Sequence, residues 1–313
     1  MRFVSKVLGL VSPRWRTMDE WLDVYVDIVA QREYSSQTFK NKAICVRHIR
    51  RGLGSEPMRS IKPHHLSTLV RSFLPDRAPT AQRVLDELRD VFTEAVANGW
   101  ADANPALHVR RPAAKVTRQR LTFETWTTMR QHAVAGTVRW VEPMLLLALI
   151  TGQRRGDLLK MRFDDVWDGV LHIEQQKKAG KKHGARVAIP LALRLEVIDM
   201  ALSDVVELCR HYAKPGPTML RKRNGQAFVR PEMLSYRFEE TINLVGTWPA
   251  GARPSLHECR SLSERLYRKQ GIDTQTLLGH KHQSMTDRYN DDRGLSAGEW
   301  KHLVLAPEVE EIP

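Results

Sequence analysis

Apolar residues recur at three- and four-residue intervals through most of the first hundred positions, the spacing that lines one face of an α-helix. Thr17-Met-Asp-Glu20 opens the pattern as a capping box: the Thr17 hydroxyl can accept from the Glu20 amide while the Glu20 carboxylate reaches back. Trp21, Val24, Tyr25 and Ile28 follow on one face. A second helix is predicted through Phe39, Ala43, Val46 and Ile49 to Gly52, and a third through Leu66, Leu69, Val70 and Phe73. A fourth carries Val84, Leu85, Leu88, Val91, Phe92 and Ala95 and stops at Asn98-Gly99. Together they predict an all-α unit. From Val109 to Arg120, "VRRPAAKVTRQR", the period disappears and basic residues take over, which reads as a linker.

A second unit is predicted from Leu121. One helix passes through Trp126 and Met129; the apolar segment Trp140–Ile150 is a buried helix, and Thr151-Gly152 turns into another in "RRGDLLKMRF". The pattern then shifts to a period of two. "DDVWDGVLHIEQQ" predicts a hairpin about Asp168-Gly169, and "ARVAIP" a third strand. A long helix from Leu193 to Tyr212 and further helices at Ser235–Leu244 and Ser255–Lys269 complete the unit. The fold class is mainly α with a small antiparallel β-sheet.

Composition narrows the partners. Lys and Arg outnumber Asp and Glu by 49 to 36, a net charge of +13, which favours a polyanion. No apolar run approaches the ~20 residues of a membrane span, and no basic amphipathic helix with a broad apolar face stands out, so nucleic acid is expected before membrane. The N-terminus lacks the long apolar region of a signal peptide. Cys45, Cys209 and Cys259, odd in number and far apart, suit a reducing compartment, so the expected location is cytoplasmic. Lys40, Lys42 and Arg47 on the second helix have no interleaved acids, and with Arg110, Arg111, Lys115, Arg118 and Arg120 of the linker they are candidate contacts to duplex phosphates. A solvated face and a plain linker are the competing readings.

Three segments hold candidate chemistry. In "TGQRRGDL", Arg154 follows an apolar helix, and Asp157, three residues on, is a candidate counter-ion. "SLHECRSLSERLY" puts His257 and Arg260 on one helix face, an imidazole that moves protons beside a guanidinium that holds phosphate oxygens in pairs. "LLGHKHQSMTDRYNDDRG" adds His280 and Tyr289; the tyrosine has Asp287, Arg288, Asp291, Asp292 and Arg293 about it, a mobile polar segment. Tyr289 is either a solvated surface residue or a reagent. Tyr236 and Tyr267, the rival hydroxyls, sit in helical patterns with apolar partners. Arginines, histidines and a tyrosine together suggest phosphoryl transfer without metal or other cofactor; His280 and His282, two apart, make a poor zinc pair.

In order, identity and spacing these three segments resemble the motif boxes of the tyrosine recombinases, the phage integrase family, and its lambda-type branch most. The resemblance extends to "WLDVYVDIVAQR", "IRRGLGSEPMRSI" and "RQRLT", from about Thr17 to Trp300. It implies a helical core-binding (SAM-like) domain at 17–108, a basic linker at 109–120 and a catalytic domain at 121–300. A basic segment at 1–16 precedes them, and a tail at 301–313 follows and packs on a neighbouring protomer in the family. It further implies that Arg154, His257, Arg260 and His280 are catalytic, that Tyr289 is the nucleophile and that Asp157 props the site.

The chain departs from the family at two places. Where a hairpin lysine is expected, "EQQKKAGKKHGARVAIP" offers two candidates: strand alternation favours Lys177, while counting from the glycine gives Lys178. Only sixteen residues precede Thr17, too few for the arm-binding domain of lambda-type members, so either arm-site binding is dispensed with or the sequence is a shortened form.

The implied reaction is attack of Tyr289 on a DNA phosphodiester, giving a 3′-phosphotyrosine and a free 5′-hydroxyl. Arg154 and Arg260 hold the non-bridging oxygens, His280 adds a hydrogen bond, Lys177 protonates the leaving oxygen and His257 serves the nucleophile. Double-stranded DNA at core sites, the Holliday junction and three further copies of the chain in a tetramer are the implied partners. A DNA-bending host factor and a directionality factor are further candidates. Two alternatives stand beside this reading. One is a type IB topoisomerase-like nicking-closing enzyme, against which the helical unit and basic linker argue. The other is a regulator with a decayed site, although competent residue types fill every catalytic position.

Overall fold

In the computed structural model, which describes residues 16–114, 116–176, 184–291 and 293, the helical periods at the start of the chain become four helices. They are α1 (Met18–Ala30), α2 (Ser36–Leu53), α3 (Pro63–Arg71) and α4 (Ala78–Ala97). The capping box forms as its residues dictate: Thr17 Oγ1 accepts from the Glu20 amide at 3.3 Å, and the Glu20 carboxylate accepts from the Thr17 amide at 2.9 Å. α4 is the spine of this unit, burying Val84, Leu85, Leu88, Val91, Phe92 and Ala95 against Trp21 and Tyr25 of α1 and Ile49 of α2. Full burial of a side chain such as Phe92 stabilises by roughly 1.5–3 kcal/mol.

The chain divides into two compact units between Val116 and Thr117. The basic stretch expected as one linker is therefore shared between them. Pro112 stays with the helical unit, its carbonyl accepting from Gln82 Nε2 at 2.7 Å. Gln119 belongs to the second unit, where its amide donates to the Ala252 carbonyl at 2.7 Å.

The second unit holds α5 (Phe123–Ala135), α6 (Val141–Thr151) and α7 (Arg155–Lys160). A three-stranded antiparallel sheet follows, ordered β1 (Val166–Trp167), β2 (Val170–Glu174) and β3 (Arg186–Pro190), with Leu171 opposite Ile189 and Ile173 opposite Val187. Alternation sends Leu171, Ile173, Val187 and Ile189 into the core that they share with α6, a helix buried at every position except Glu142.

The long helix expected from Leu193 to Tyr212 is not formed. Its first half is a small hairpin, β4 (Arg194–Leu195) with β5 (Met200–Ala201), and only α8 (Leu202–His211) is helical. Asp199 adopts a left-handed conformation (φ 52°) that ends any helix, and Gln270 bonds to the Glu196 amide and the Arg194 carbonyl. Beyond it lie α9 (Glu232–Asn243), α10 (Glu258–Lys269), α11 (Thr274–Leu277) and α12 (Gln283–Asn290). The polar segment around Tyr289 forms a helix through Asn290, packed on α10. Among the described residues no helix is long and apolar enough to cross a membrane.

Candidate active site

The site is built where α6 ends. Gly152 takes a left-handed conformation (φ 60°) at the C-terminus of that helix, and a β-carbon there would meet Leu278 Cδ2 at 2.7 Å and Ser263 Oγ at 2.9 Å. Only glycine fits, because the conformation and the space both exclude a side chain. This turn delivers Gln153 and Arg154 to the site, and its own carbonyl becomes an anchor.

Arg260 of α10 takes that anchor. Its side chain is 1% exposed, and its Nη1 donates to the Gly152 carbonyl at 2.7 Å while Nη2 donates to the Leu278 carbonyl. Two backbone segments far apart in sequence thus hold one guanidinium in place. Burial, and next the positive charge of Arg154, pull its pKa down to about 10. The cation remains protonated at neutral pH but sits in a site short of negative charge, a setting that favours an arriving anion.

His280 lies within 2.9 Å of Arg260 Nη2 through its Nε2. A guanidinium nitrogen can only donate, so this Nε2 accepts and the ring proton is assigned to Nδ1, which faces Thr286 Oγ1 at 2.9 Å. His280, expected to add a hydrogen bond at the site, is thus placed directly against Arg260.

Tyr289 is brought to these groups by α12. Its hydroxyl lies 3.1 Å from His257 Nε2, its ring stacks on His280 (centroids 5.4 Å apart, planes 18° apart), and the Arg260 guanidinium carbon lies 5.5 Å from its centroid. Its backbone carbonyl accepts from Ser261 Oγ at 2.8 Å. His257 precedes α10 and is exposed yet crowded by protein. That crowding, then the positive charges of Arg260 and Arg154, hold its imidazole below the ordinary histidine value. The neutral ring is therefore the form facing the phenol, with a lone pair able to take its proton. Tyr267 is fully buried, but Tyr236 is 55% exposed, contrary to the expected apolar packing.

Arg154 Nη1 donates to Gln175 Oε1 at 2.7 Å. Among the described residues it forms no ion pair with Asp157, which corrects the counter-ion expected from their spacing. Asp157 instead accepts from the Gln176 amide at 2.8 Å through Oδ1, bracing the chain just past β2. Gln175, 4% exposed, is a hub that patterning did not single out: its Nε2 donates to Gln153 Oε1 at 2.8 Å and to the Leu278 carbonyl at 3.0 Å. Lys177 and Lys178, and with them Lys115, lie outside the described residues.

The basic residues expected to face DNA divide into two sets. Lys40, Arg47, Arg110 and Arg118 are exposed. Lys42 is not available in the same way. Acids arrive from α4, and its Nζ pairs with Glu87 at 3.0 Å and Asp90 at 2.9 Å, beneath the Tyr25 hydroxyl. Arg111 is exposed but pairs with Asp86. Arg120 is buried, and its guanidinium binds Glu258 and two backbone carbonyls.

The chain matches the phage integrase family model over residues 137–294 and the phage integrase central domain model over residues 18–112. It belongs to the phage integrase family and is a tyrosine recombinase. Among known proteins it is 40% identical to prophage integrase IntE of Escherichia coli (strain K12), over 92% of this chain and 78% of that one. It is 32% identical to the integrase of Escherichia phage lambda, over 92% of this chain and 79% of that one. In structure it is similar to a lambda integrase dimer bound to a COC′ core site, with a TM-score of 0.85, 31% identity and coverage of 98% and 84%. A lambda integrase tetramer bound to a Holliday junction gives 0.84, 30% identity and coverage of 96% and 83%.

Proposed function

We propose that Tyr289 is the nucleophile of this recombinase, and that the approach of its hydroxyl to His257 Nε2, 3.1 Å, is the observation that carries the assignment. Free tyrosine, with a pKa of about 10, is phenolate in only about one molecule per thousand at neutral pH. His257, held neutral, takes the phenol proton as Oη bonds to the scissile phosphorus. The bond from phosphorus to the 5′-oxygen breaks, and the protein is left esterified to the 3′-phosphate. Arg154 and Arg260 stabilise the charge on the non-bridging oxygens. His280 orients Arg260 and supports the tyrosine ring. By resemblance, Lys177 or its neighbour Lys178 gives the leaving 5′-oxygen its proton, and Asp157 braces the strand end that leads to them. The phosphodiester energy stays in the ester, so the reverse attack by a second 5′-hydroxyl rejoins strands without a high-energy cofactor.

We extend to this chain what its solved relatives are bound to: core-site DNA as a dimer and a Holliday junction as a tetramer. The site of action is then the cytoplasm of a bacterial host. The test uses nicked duplexes tiled across the junctions of the genetic element that carries the gene. Wild-type protein is expected to form an SDS-stable, protease-sensitive adduct at one junction, undiminished in excess EDTA. Tyr289→Phe is expected to bind that duplex and form no adduct. An adduct from Tyr289→Phe, or wild-type cleavage that needs added magnesium, overturns the proposal.

A further inference from the structure

Arg120 enters the second unit one residue ahead of its first buried apolar side chain, Leu121, and is itself 5% exposed. Its Nε donates to the Asp291 carbonyl at 2.6 Å, Nη2 to the Arg288 carbonyl at 2.6 Å and Nη1 to Glu258 Oε2 at 3.1 Å. Both carbonyls stand at the C-terminal end of α12, where the last turn of a helix has no intrahelical donors and carries the negative end of its dipole. Glu258, 3% exposed, supplies the anion that a buried guanidinium needs. It is also the residue after His257.

The same exit is tied a second time. Arg293 Nη1 donates to the Arg118 carbonyl at 2.6 Å and lies 3.3 Å from Glu258 Oε1, and its amide donates to Asp291 Oδ1 at 2.9 Å. Tyr289 sits between the two carbonyls that Arg120 holds. The segment 118–120, the first turn of α10 and the end of α12 therefore close on one ion cluster. A residue so enclosed has no free face for a phosphate, which removes Arg120 from the set of DNA contacts.

We infer that Arg120 is a positioning residue for the reaction. By capping the C-terminal end of α12 from the interior it holds the Tyr289 hydroxyl at His257, while Glu258 fixes both Arg120 and the start of α10. The inference rests on the reading of Tyr289 as nucleophile. A planar fork suits the role, because the three acceptors are met by three separate nitrogens, whereas an ammonium offers all its donors from one nitrogen.

Arg120→Lys keeps the charge against Glu258 and loses the double grip on the carbonyls. With the junction duplex at which wild-type protein forms its adduct, three quantities separate the possibilities. Binding is expected to stay within about twofold, since the many exposed cations supply phosphate contact. Adduct formation at saturating protein is expected to fall about 10- to 100-fold, the scale set by an ångström of misplacement. Amide exchange over residues 283–291 is expected to accelerate about tenfold or more while that of α6 is unchanged. Glu258→Gln is expected to give the same pattern in milder form.

Wild-type cleavage and exchange in Arg120→Lys overturn the inference, as does a loss of cleavage matched by an equal loss of binding, the mark of a DNA contact. Global melting of both variants also overturns it, since Arg120 is then a core residue only. Tyr289→Phe is run alongside: an adduct from that variant defeats the nucleophile assignment, whereas its absence together with normal cleavage by Arg120→Lys defeats the inference alone.

Discussion

His257 is the residue through which pH reaches this site. Crowding by the protein, then the charges of Arg260 and Arg154, lower its folded pKa relative to the unfolded chain. The native state therefore binds its proton less readily, and the stability that neutral His257 contributes is present above its unfolded value of about 6.5 and lost as pH falls through the lower folded value. If the neutral ring is the base, adduct formation at subsaturating protein follows the same group and should stay level down through about pH 6.5 before it declines. Single-turnover cleavage measured across that range checks this; an acid limb above pH 7 would assign the base elsewhere. Arg154, His257, Arg260 and Tyr289 could be singled out from sequence because they fall in three segments whose order, identity and spacing resemble the family's motif boxes. Gln175, Ser261 and Thr286 could not. They are neutral, and Gln175 meets Leu278 across 103 positions of chain, a relation no local pattern encodes.

At the scale of elements, α2 shows how a basic run divides by face. Lys40 and Arg47 are exposed, whereas Lys42 turns inward to Glu87 and Asp90 of α4. Desolvation works against the Asp90 carboxylate, yet hydrogen bonds from Tyr25, Lys42 and Arg32 hold it below the usual carboxylate range. Lys42→Met takes from Glu87 the cation it pairs with and leaves Asp90 with Arg32, and should cost about 1–3 kcal/mol of stability with little direct effect on DNA affinity. Lys40→Ala and Arg47→Ala should do the reverse. Melting temperature and binding, measured on all three, test the division; a Lys42→Met protein that melts normally and binds DNA weakly would reverse it. Most helices and the sheet were legible because one buried face imposes a period. The segment from Leu193 to Tyr212 was not, since Leu193, Val197, Met200, Val205 and Leu208 mimic helical spacing across a hairpin that turns at Asp199.

For the molecule as a whole, the net charge of +13 governs encounter with DNA more than chemistry does. If roughly 6–10 phosphates are neutralised, affinity should fall about 10³–10⁵-fold between 50 and 200 mM salt. Arg260→Lys should leave that slope unchanged while cleavage drops about 10²–10³-fold, the usual effect of losing one transition-state donor. A shallower slope for this variant, measured by titration at several salt concentrations, would make Arg260 a docking residue instead. The cap on α12 has one more consequence, which concerns time. The Arg120 guanidinium and the Arg288 carbonyl it binds are separated by 168 positions. On a ribosome adding ~5–20 residues per second, roughly 8–35 s pass between the synthesis of the two. Throughout that interval a nascent chain already holds the exposed lysine and arginines of its helical unit, yet lacks Tyr289, the residue proposed to break a strand. An unfinished chain can touch the genome without cutting it.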